Sequence, residues 1–127
     1  YQWYPLTIGH IDDGGKYIKD QIVQTPYMFH KFRGSTNGVV INDEIWFMCH
    51  YVSYEDRRFY YHCVVRLNKY TLEVVDYSKL FTFSGSPIEY CLGMVHKNDK
   101  LVFSYSIMDK TSYIMRIDRE VFLKVLF

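Results

Sequence analysis

Asn42-Asp43-Glu44-Ile45-Trp46-Phe47 is answered further along the chain by Asn98-Asp99-Lys100-Leu101-Val102-Phe103. Each copy is a polar turn followed by an apolar strand. A second pair follows: Val65-Arg66-Leu67-Asn68-Lys69 is answered by Met115-Arg116-Ile117-Asp118-Arg119. The first pair is offset by 56 positions (42 to 98) and the second by 50 (65 to 115), so the units share a plan with one loop shortened. A sheet unit repeated at this period reads as blades of a β-propeller or a related array. The fold expected is all-β: antiparallel meander blades of a partial, open propeller.

Outward from these turns the strands fall into place. Ile45 to Tyr54 and Phe59 to Asn68 flank the polar Glu55-Asp56-Arg57-Arg58 and read as an antiparallel hairpin, with Thr71 to Asp76 as a third strand. The second unit runs through Ile88 to Val95, Leu101 to Ile107 and Ser112 to Ile117. The tail, Arg119 to Phe127, reads as a short helix capped by Asp118; a last strand by analogy with Tyr70 to Val75 is the alternative. Upstream, Asp12-Asp13-Gly14-Gly15 is strong turn chemistry between two short strands, the second at Tyr17 to Gln24. Thr25 to Asn37 reads as a long loop of functional character. The domain organisation is thus one module over 1–127, with blade-like units about 38–78 and 86–127, and 1–37 as a partial blade and long loop.

Composition narrows the classes. Of 127 residues, 13 are Tyr and 9 Phe, side chains that favour the pleated surface of strands. Fifteen Lys+Arg against fourteen Asp+Glu leave almost no net charge, and the basic residues are scattered, so no nucleic-acid footprint is expected. No apolar run approaches the roughly 18 residues of a membrane span. Cys49, Cys63 and Cys91 are an odd number without CxxC spacing, each in an apolar stretch. That is the usage of buried free thiols, pointing to a cytoplasmic or otherwise intracellular setting. The first residue, Tyr1, reads as the start of a processed product or an excerpt.

Two constellations carry candidate chemistry. Cys49-His50 and His62-Cys63 lie on the two arms of one hairpin. A four-residue turn sets His50 opposite Cys63 and Cys49 opposite Val64. A zinc site needs four ligands converging on one face, and alternation sends neighbours to opposite faces, so no metal and no cofactor is expected. A Cys-His nucleophile lacks an orienting partner and oxyanion donors. The second constellation joins Arg33-Gly34-Ser35-Thr36, His50, Glu89, Tyr105 and Asp109, all at strand ends or in loops. Paired carboxylates with an Arg and a His suit glycosyl transfer, and aromatic rings stack on sugar faces. Structural roles compete: Asp109 also suits the start of the Asp-Lys-Thr turn, Glu89 a surface ion pair, and Arg33 a loop anchor.

Ser86-Pro87-Ile88-Glu89-Tyr90-Cys91-Leu92-Gly93-Met94, followed by Leu101 to Asp109, resembles the C-terminal blades of five-bladed glycosidase-type propellers, the mannoside phosphorylase and mannosidase family above all. That family carries a Tyr-Gly-x-x-Asp motif; Tyr105 and Asp109 keep its spacing, while Ser106 replaces the glycine. Ile45 to His50 is similar to the family's strand ending in Tyr-His-Gly, with Cys49 for the tyrosine and Tyr51 for the glycine. Arg33-Gly34 stands in the place of a Lys-x-Gly segment whose basic residue holds phosphate. Phe32 to Thr36 and Tyr60-Tyr61-His62 look more like related propeller domains appended to glycosyltransferases. The resemblance covers roughly residues 26 to 118. It implies Asp109 or Glu89 as a catalytic carboxylate, and Arg33, His50, Tyr105 and His62 as a substrate- or phosphate-binding set. The implied partner is a glycan or sugar phosphate.

In that family the general-acid aspartate comes from an earlier blade, which would lie before Tyr1. Two blades do not close a ring, so a protein partner or missing segment is expected to complete the sheet. The functional expectation is therefore a carbohydrate-active module, binding or processing a glycan. The alternative is a non-catalytic structural or interaction module that pairs its open edges within a larger assembly.

Overall fold

The computed structural model describes residues 2–127 and contains ten strands and one helix. In chain order the strands are β1 (Leu6–Ile11), β2 (Tyr17–Val23), β3 (Phe32–Gly34), β4 (Val39–Ile41), β5 (Glu44–Ser53), β6 (Phe59–Asn68), β7 (Val74–Tyr77), β8 (Glu89–Lys97), β9 (Lys100–Ile107) and β10 (Thr111–Asp118). Helix α1 (Arg119–Leu126) closes the chain. They form three antiparallel sheets: the β1–β2 hairpin; a middle sheet ordered β3-β5-β6-β7, with β4 also on β5; and a third ordered β10-β9-β8. The protein is mostly β, with no closed barrel among the described residues.

Alternation along β5 and β6 makes the middle sheet a true middle layer. Cys49, Cys63, Val65 and Leu67 face one core with Trp3, Leu6, Val23, Phe29 and Phe32. Trp46, Met48 and Val64 face the other core, with Cys91, Met94, Leu101, Phe103 and Phe122. Burying each large side chain of this kind is worth about 1.5–3 kcal/mol. Phe122 also decides the tail. It is 1 % exposed in the second core, and helical spacing seats Phe122 and Leu126 there together. Asp118 stands at the N-cap position without a capping bond; its carboxylate meets Lys100 instead.

The repeated turns occupy corresponding places in their sheets. Asn42-Asp43 links β4 to β5, with Ile41 paired to Glu44, and Asn98-Asp99 links β8 to β9, with Lys97 paired to Lys100. Asn42, Asn98 and Asp99 all adopt positive φ (54°, 52° and 60°), the conformation of tight hairpin turns that Asn and Asp tolerate best. Asp43 O accepts from Lys69 N at 2.8 Å, and Asp99 O accepts from Arg119 N at 2.9 Å. Strands β8, β9 and β10 thus repeat the plan of β3/β4, β5 and β6.

The β5–β6 register differs by one residue from that expected. The connection is the five residues Tyr54–Arg58, so His50 lies opposite His62 and Cys49 opposite Cys63. The cause is packing. This register puts Met48 beside Val64 in one core and Cys49 beside Cys63 in the other, whereas a one-residue slip would pair residues of opposite faces. Two further boundaries move. The segment expected as a loop holds a 3₁₀ turn at Tyr27–Lys31 and the short strand β3. Strand β7 begins at Val74 rather than Thr71, because Asn68 Oδ1 accepts from the Tyr70 and Thr71 amides and holds a turn there.

Candidate binding site

Register gathers three of the sequence-derived candidates into one row. Arg33 on β3 pairs with His50 on β5, and His50 pairs with His62 on β6. Paired residues of an antiparallel sheet share a face, so the three line the side of the middle sheet that meets the third sheet. Glu89, the first residue of β8, joins the row from that third sheet: His62 Nε2 donates to Glu89 Oε1 at 3.3 Å. Both side chains have no exposed surface.

Glu89 is an anchored carboxylate. Oε1 accepts from the Phe83 amide at 2.8 Å, and Oε2 from the Ser84 amide at 2.8 Å and the Ser84 hydroxyl at 2.6 Å. Burial works to raise its carboxyl, yet the bonds from Ser84, Phe83 and His62 hold it below the usual carboxylate range. Burial also dominates His62, whose imidazole is pushed down to about 4 against the pull of Glu89. His62 is therefore neutral at pH 7, with its proton on Nε2 and a buried Nδ1 that has no partner among the described residues. The pair is a neutral donor on a carboxylate rather than an ion pair. Phe83, whose amide is fixed by Glu89, stacks on Tyr105 with ring centroids 4.3 Å apart. Burial, with Glu89 and Tyr113, raises the Tyr105 phenol.

His50 is set differently. A 2.8 Å hydrogen bond joins its Nδ1 to Ser35 Oγ, and its ring stacks on Tyr60 with centroids 5.5 Å apart. Burial, then the Arg33 guanidinium, lowers its proton affinity. Arg33 itself is exposed. Its Nη1 donates to the carbonyls of Phe32 (3.1 Å) and His30 (3.4 Å), and Nε and Nη2 make no protein hydrogen bond among the described residues.

Arg33 borders a cleft of about 610 Å³ between the 3₁₀ turn and the end of β5. His30, Lys31, Arg33, Tyr51, Tyr54 and Glu55 line it, and Lys31 Nζ lies 5.5 Å from the centre of the Tyr51 ring. Sequence reasoning missed His30, Lys31, Tyr51 and Tyr54 as a group. Their signal was the basic His30-Lys31 pair just before Phe32-Arg33, legible once β3 is known to pair with β5.

Asp109 stands apart from the row. It lies exposed in the β9–β10 turn with φ of 56°, beside Met108 at 56°, and makes no side-chain hydrogen bond. The described residues hold no group of three or more His, Cys, Asp and Glu placed for a metal ion. Cys49 and Cys63 face one layer while His50 and His62 face the other. All three cysteines are buried free thiols; burial raises Cys49, lifts Cys63 to about 11 and Cys91 to about 12, so none is a thiolate at neutral pH. Among the described residues no helix is long and apolar enough to cross a membrane. Compared with protein-family models, with curated proteins and with solved structures, the chain finds no match.

Proposed function

We propose that the chain is a non-catalytic carbohydrate-binding module built from propeller-type blades, and that it takes an anionic glycan or sugar phosphate in the cleft beside Arg33. The observation that carries this reading is the cleft's composition. Lys31 and Arg33 bring two permanent positive charges, and His30 a third when protonated. Tyr51 and Tyr54 bring aromatic rings, with Lys31 over that of Tyr51, and Glu55 accepts sugar hydroxyls. The unused Nε and Nη2 of Arg33 form the two-pronged donor that phosphate, sulfate and carboxylate groups accept. Tyrosine faces pack on the apolar side of a pyranose while their hydroxyls stay wet.

A binding role fits the carboxylates better than a glycosidase role. Glycoside hydrolysis uses a pair of carboxyls that flank the scissile bond. Here both oxygens of Glu89 are taken by protein donors, and Asp109 stands alone on a turn. The layered plan supports the blade reading, since each repeat unit lays the same face on the unit before it. Titration calorimetry with mannose 1-phosphate and with mannose tests the proposal. Arg33→Gln is expected to weaken the phosphorylated sugar at least about tenfold, the scale of a charge-assisted hydrogen bond, and to leave mannose within about twofold. Equal phosphosugar affinity in wild type and variant sinks it.

A second reading, an assembly module, is favoured by the outer face of the third sheet. Leu92 is 70 % and Ile114 79 % exposed there, with Val95 beside them. Light scattering of the purified chain over rising concentration is expected to show self-association that Ile114→Glu abolishes; a monomer throughout removes this reading.

A further inference from the structure

A groove of about 720 Å³ runs between strands β2 and β7. Both are edge strands, and they belong to different sheets: β2 pairs with β1, and β7 with β6. Residues 21–26 and 73–77 line the groove in unbroken succession, together with Thr71, and no residue of β1 or β6 does. The face of a strand would offer alternate residues only. Unbroken runs mean that the walls are the two strand edges, each on the side away from its paired neighbour. The walls run the same way. Gln21 Nε2 donates to Thr71 O at 3.2 Å at one end, and beyond the other end Phe29 packs edge-on against Tyr77, ring centroids 5.3 Å apart.

Neighbouring hydrogen bonds fix which backbone groups face the groove. Thr7 N donates to Gln2 O at 3.1 Å, away from β2, so its partner Ile22 turns N–H and C=O away from β1. On the opposite wall Ser78 N donates to Val64 O at 2.9 Å, and alternation turns the Tyr77 N–H away from β6. No strand meets that amide; Asp76 Oδ1 accepts from it at 2.8 Å instead. The Thr71 carbonyl is likewise served by a side chain, that of Gln21. Edge groups of this kind are templates for another strand. The charge on the walls is one-sided. Val75 is an extra residue in β7, since Arg66 pairs with Asp76 and Leu67 with Val74, and Asn68 N donates to Glu73 O. This bulge sets Glu73 and Asp76 on one face of β7, and no Lys or Arg lines the groove. Arg66 lies 3.9 Å from Asp76 and gives its shorter bonds to Glu44.

We propose that this groove binds an extended, basic peptide segment of a partner protein, which adds a strand antiparallel to both β2 and β7. Its backbone pairs with Ile22 on one side and takes the Tyr77 N–H on the other, releasing Asp76. Lysine or arginine at alternate positions then meets Glu73 and Asp76 on their common face. The four residues of β7, at about 3.3 Å each, give a pairing length of about 13 Å. In strand addition, main-chain bonds supply affinity and alternate side chains supply specificity. The groove shares no residue with the cleft at Arg33 or with the exposed Leu92, Val95 and Ile114, so it stands whether or not those surfaces bind.

The probe is acetyl-Lys-Val-Lys-Val-Lys-Val-amide, titrated into the full chain and followed by calorimetry and amide hydrogen exchange. Binding is expected, with slowed exchange at Ile22 and Tyr77. N-methylation of the probe's valines removes the donors along one of its edges and is expected to weaken it at least about tenfold, the span of two or more hydrogen bonds. Glutamate in place of lysine is expected to weaken it at least about threefold. Ile22→Pro removes the β2 donor, spares the ladder to β1, and is expected to weaken the probe about 3- to 10-fold. Glu73→Lys is expected to reverse the preference between the lysine and glutamate probes, and keeps the test valid if Ile22→Pro does not fold. Absence of binding, equal affinity of the methylated probe, or slowed exchange confined to other strands overturns the proposal. So does slowed exchange at Ile22 and Tyr77 that grows with protein concentration in the absence of probe, which puts a second copy in the groove.

Discussion

Acidification from pH 7 to 4.5 is expected to cost the fold about 3 kcal/mol through His62 alone. The unfolded chain protonates this imidazole at about 6.5, whereas the folded protein keeps it neutral down to about 4, because burial outweighs the attraction of Glu89. Between those values the unfolded state binds more protons, so stability is complete above pH 6.5 and falls as pH drops towards 4. Two pH units at about 1.36 kcal/mol each give the figure. Glu89 adds nothing in this window: its folded carboxyl lies below the ordinary 4.5, so its contribution is lost only at lower pH. His50, also lowered, acts in the same direction as His62, which is why a variant is needed. His62→Phe removes the titrating ring in a place already walled by Phe81 and Phe83, and leaves Glu89 its three bonds from Phe83 and Ser84. Urea unfolding at pH 7 and 4.5 reads the difference. With a slope of about 1.5 kcal/mol/M for a domain of this size, the wild-type midpoint should fall about 2 M further than that of the variant. Equal losses in the two proteins refute the assignment of a buried neutral His62.

Glu89→Ala at pH 7 is expected to cost about 3 kcal/mol, since it removes the charged acceptor that ties the half-buried Phe83 amide and the Ser84 amide and hydroxyl to β8, and Glu89→Gln about half as much. Chemical denaturation checks both; a loss under about 1 kcal/mol for Glu89→Ala means the carboxylate does not hold the 83–84 segment. Gly9→Ala is expected to cost about 2 kcal/mol by forcing Cβ against the Ile18 carbonyl and the Tyr17 ring, seen as a melting temperature lower by roughly 8 °C. An unchanged melting temperature would show that the β1–β2 hairpin gives way freely.

Much of the fold was legible because its signals are local. The Asn-Asp turns need only residues that tolerate positive φ, Asn42 in the first and Asn98 with Asp99 in the second, and both turns sit between apolar strands as read. The terminal helix and the hairpin β5–β6 were likewise written in short-range pattern. Register was not, because it is decided by which core each strand face meets: Tyr54 looks like a strand residue, yet it belongs to the turn so that Cys49 can face Cys63. Strand β3 was hidden by the loop-like composition of Arg33-Gly34-Ser35, yet Phe32, Arg33 and Gly34 pair with Tyr51, His50 and Cys49. The site was half legible for the same reason. Arg33, His50, Glu89 and Tyr105 were grouped with Asp109 from their places at strand ends, with His62 added by resemblance, but which of them touch is decided by register and layering, which set Arg33, His50 and His62 in one row and bring Glu89 onto it. Asp109 was picked as a carboxylate at a strand end, where turn chemistry explains it equally well. Nothing in the spacing announces that Ser84 and Phe83 would close over Glu89, because that contact is made by backbone amides.

The two repeats diverge most sharply where one is covered and the other is not. His50 and His62 face each other across β5 and β6, and in the second unit their places are taken by Ser106 and Ser112, which face each other across β9 and β10. The histidines lie under the third sheet, where Glu89 and Tyr90 meet them. The serines lie on that sheet's outer face, with no described sheet above them. A covered position must satisfy its polar atoms inside the protein, and a neutral imidazole can donate to a carboxylate while its ring packs on aromatic neighbours. A serine at the surface has water for the purpose. The difference between the copies therefore follows from their place in the stack, and the polar seam between the second and third sheets is a consequence of layering before it is a site. Arg33 is the member of the row that layering does not explain. It is exposed, two of its three nitrogens are unused, and it borders the cleft. A guanidinium kept in that state beside Lys31 and His30 raises the local potential where an anion would sit and depresses the neighbouring His50, so function is to be sought at the rim of the seam and not in its buried centre.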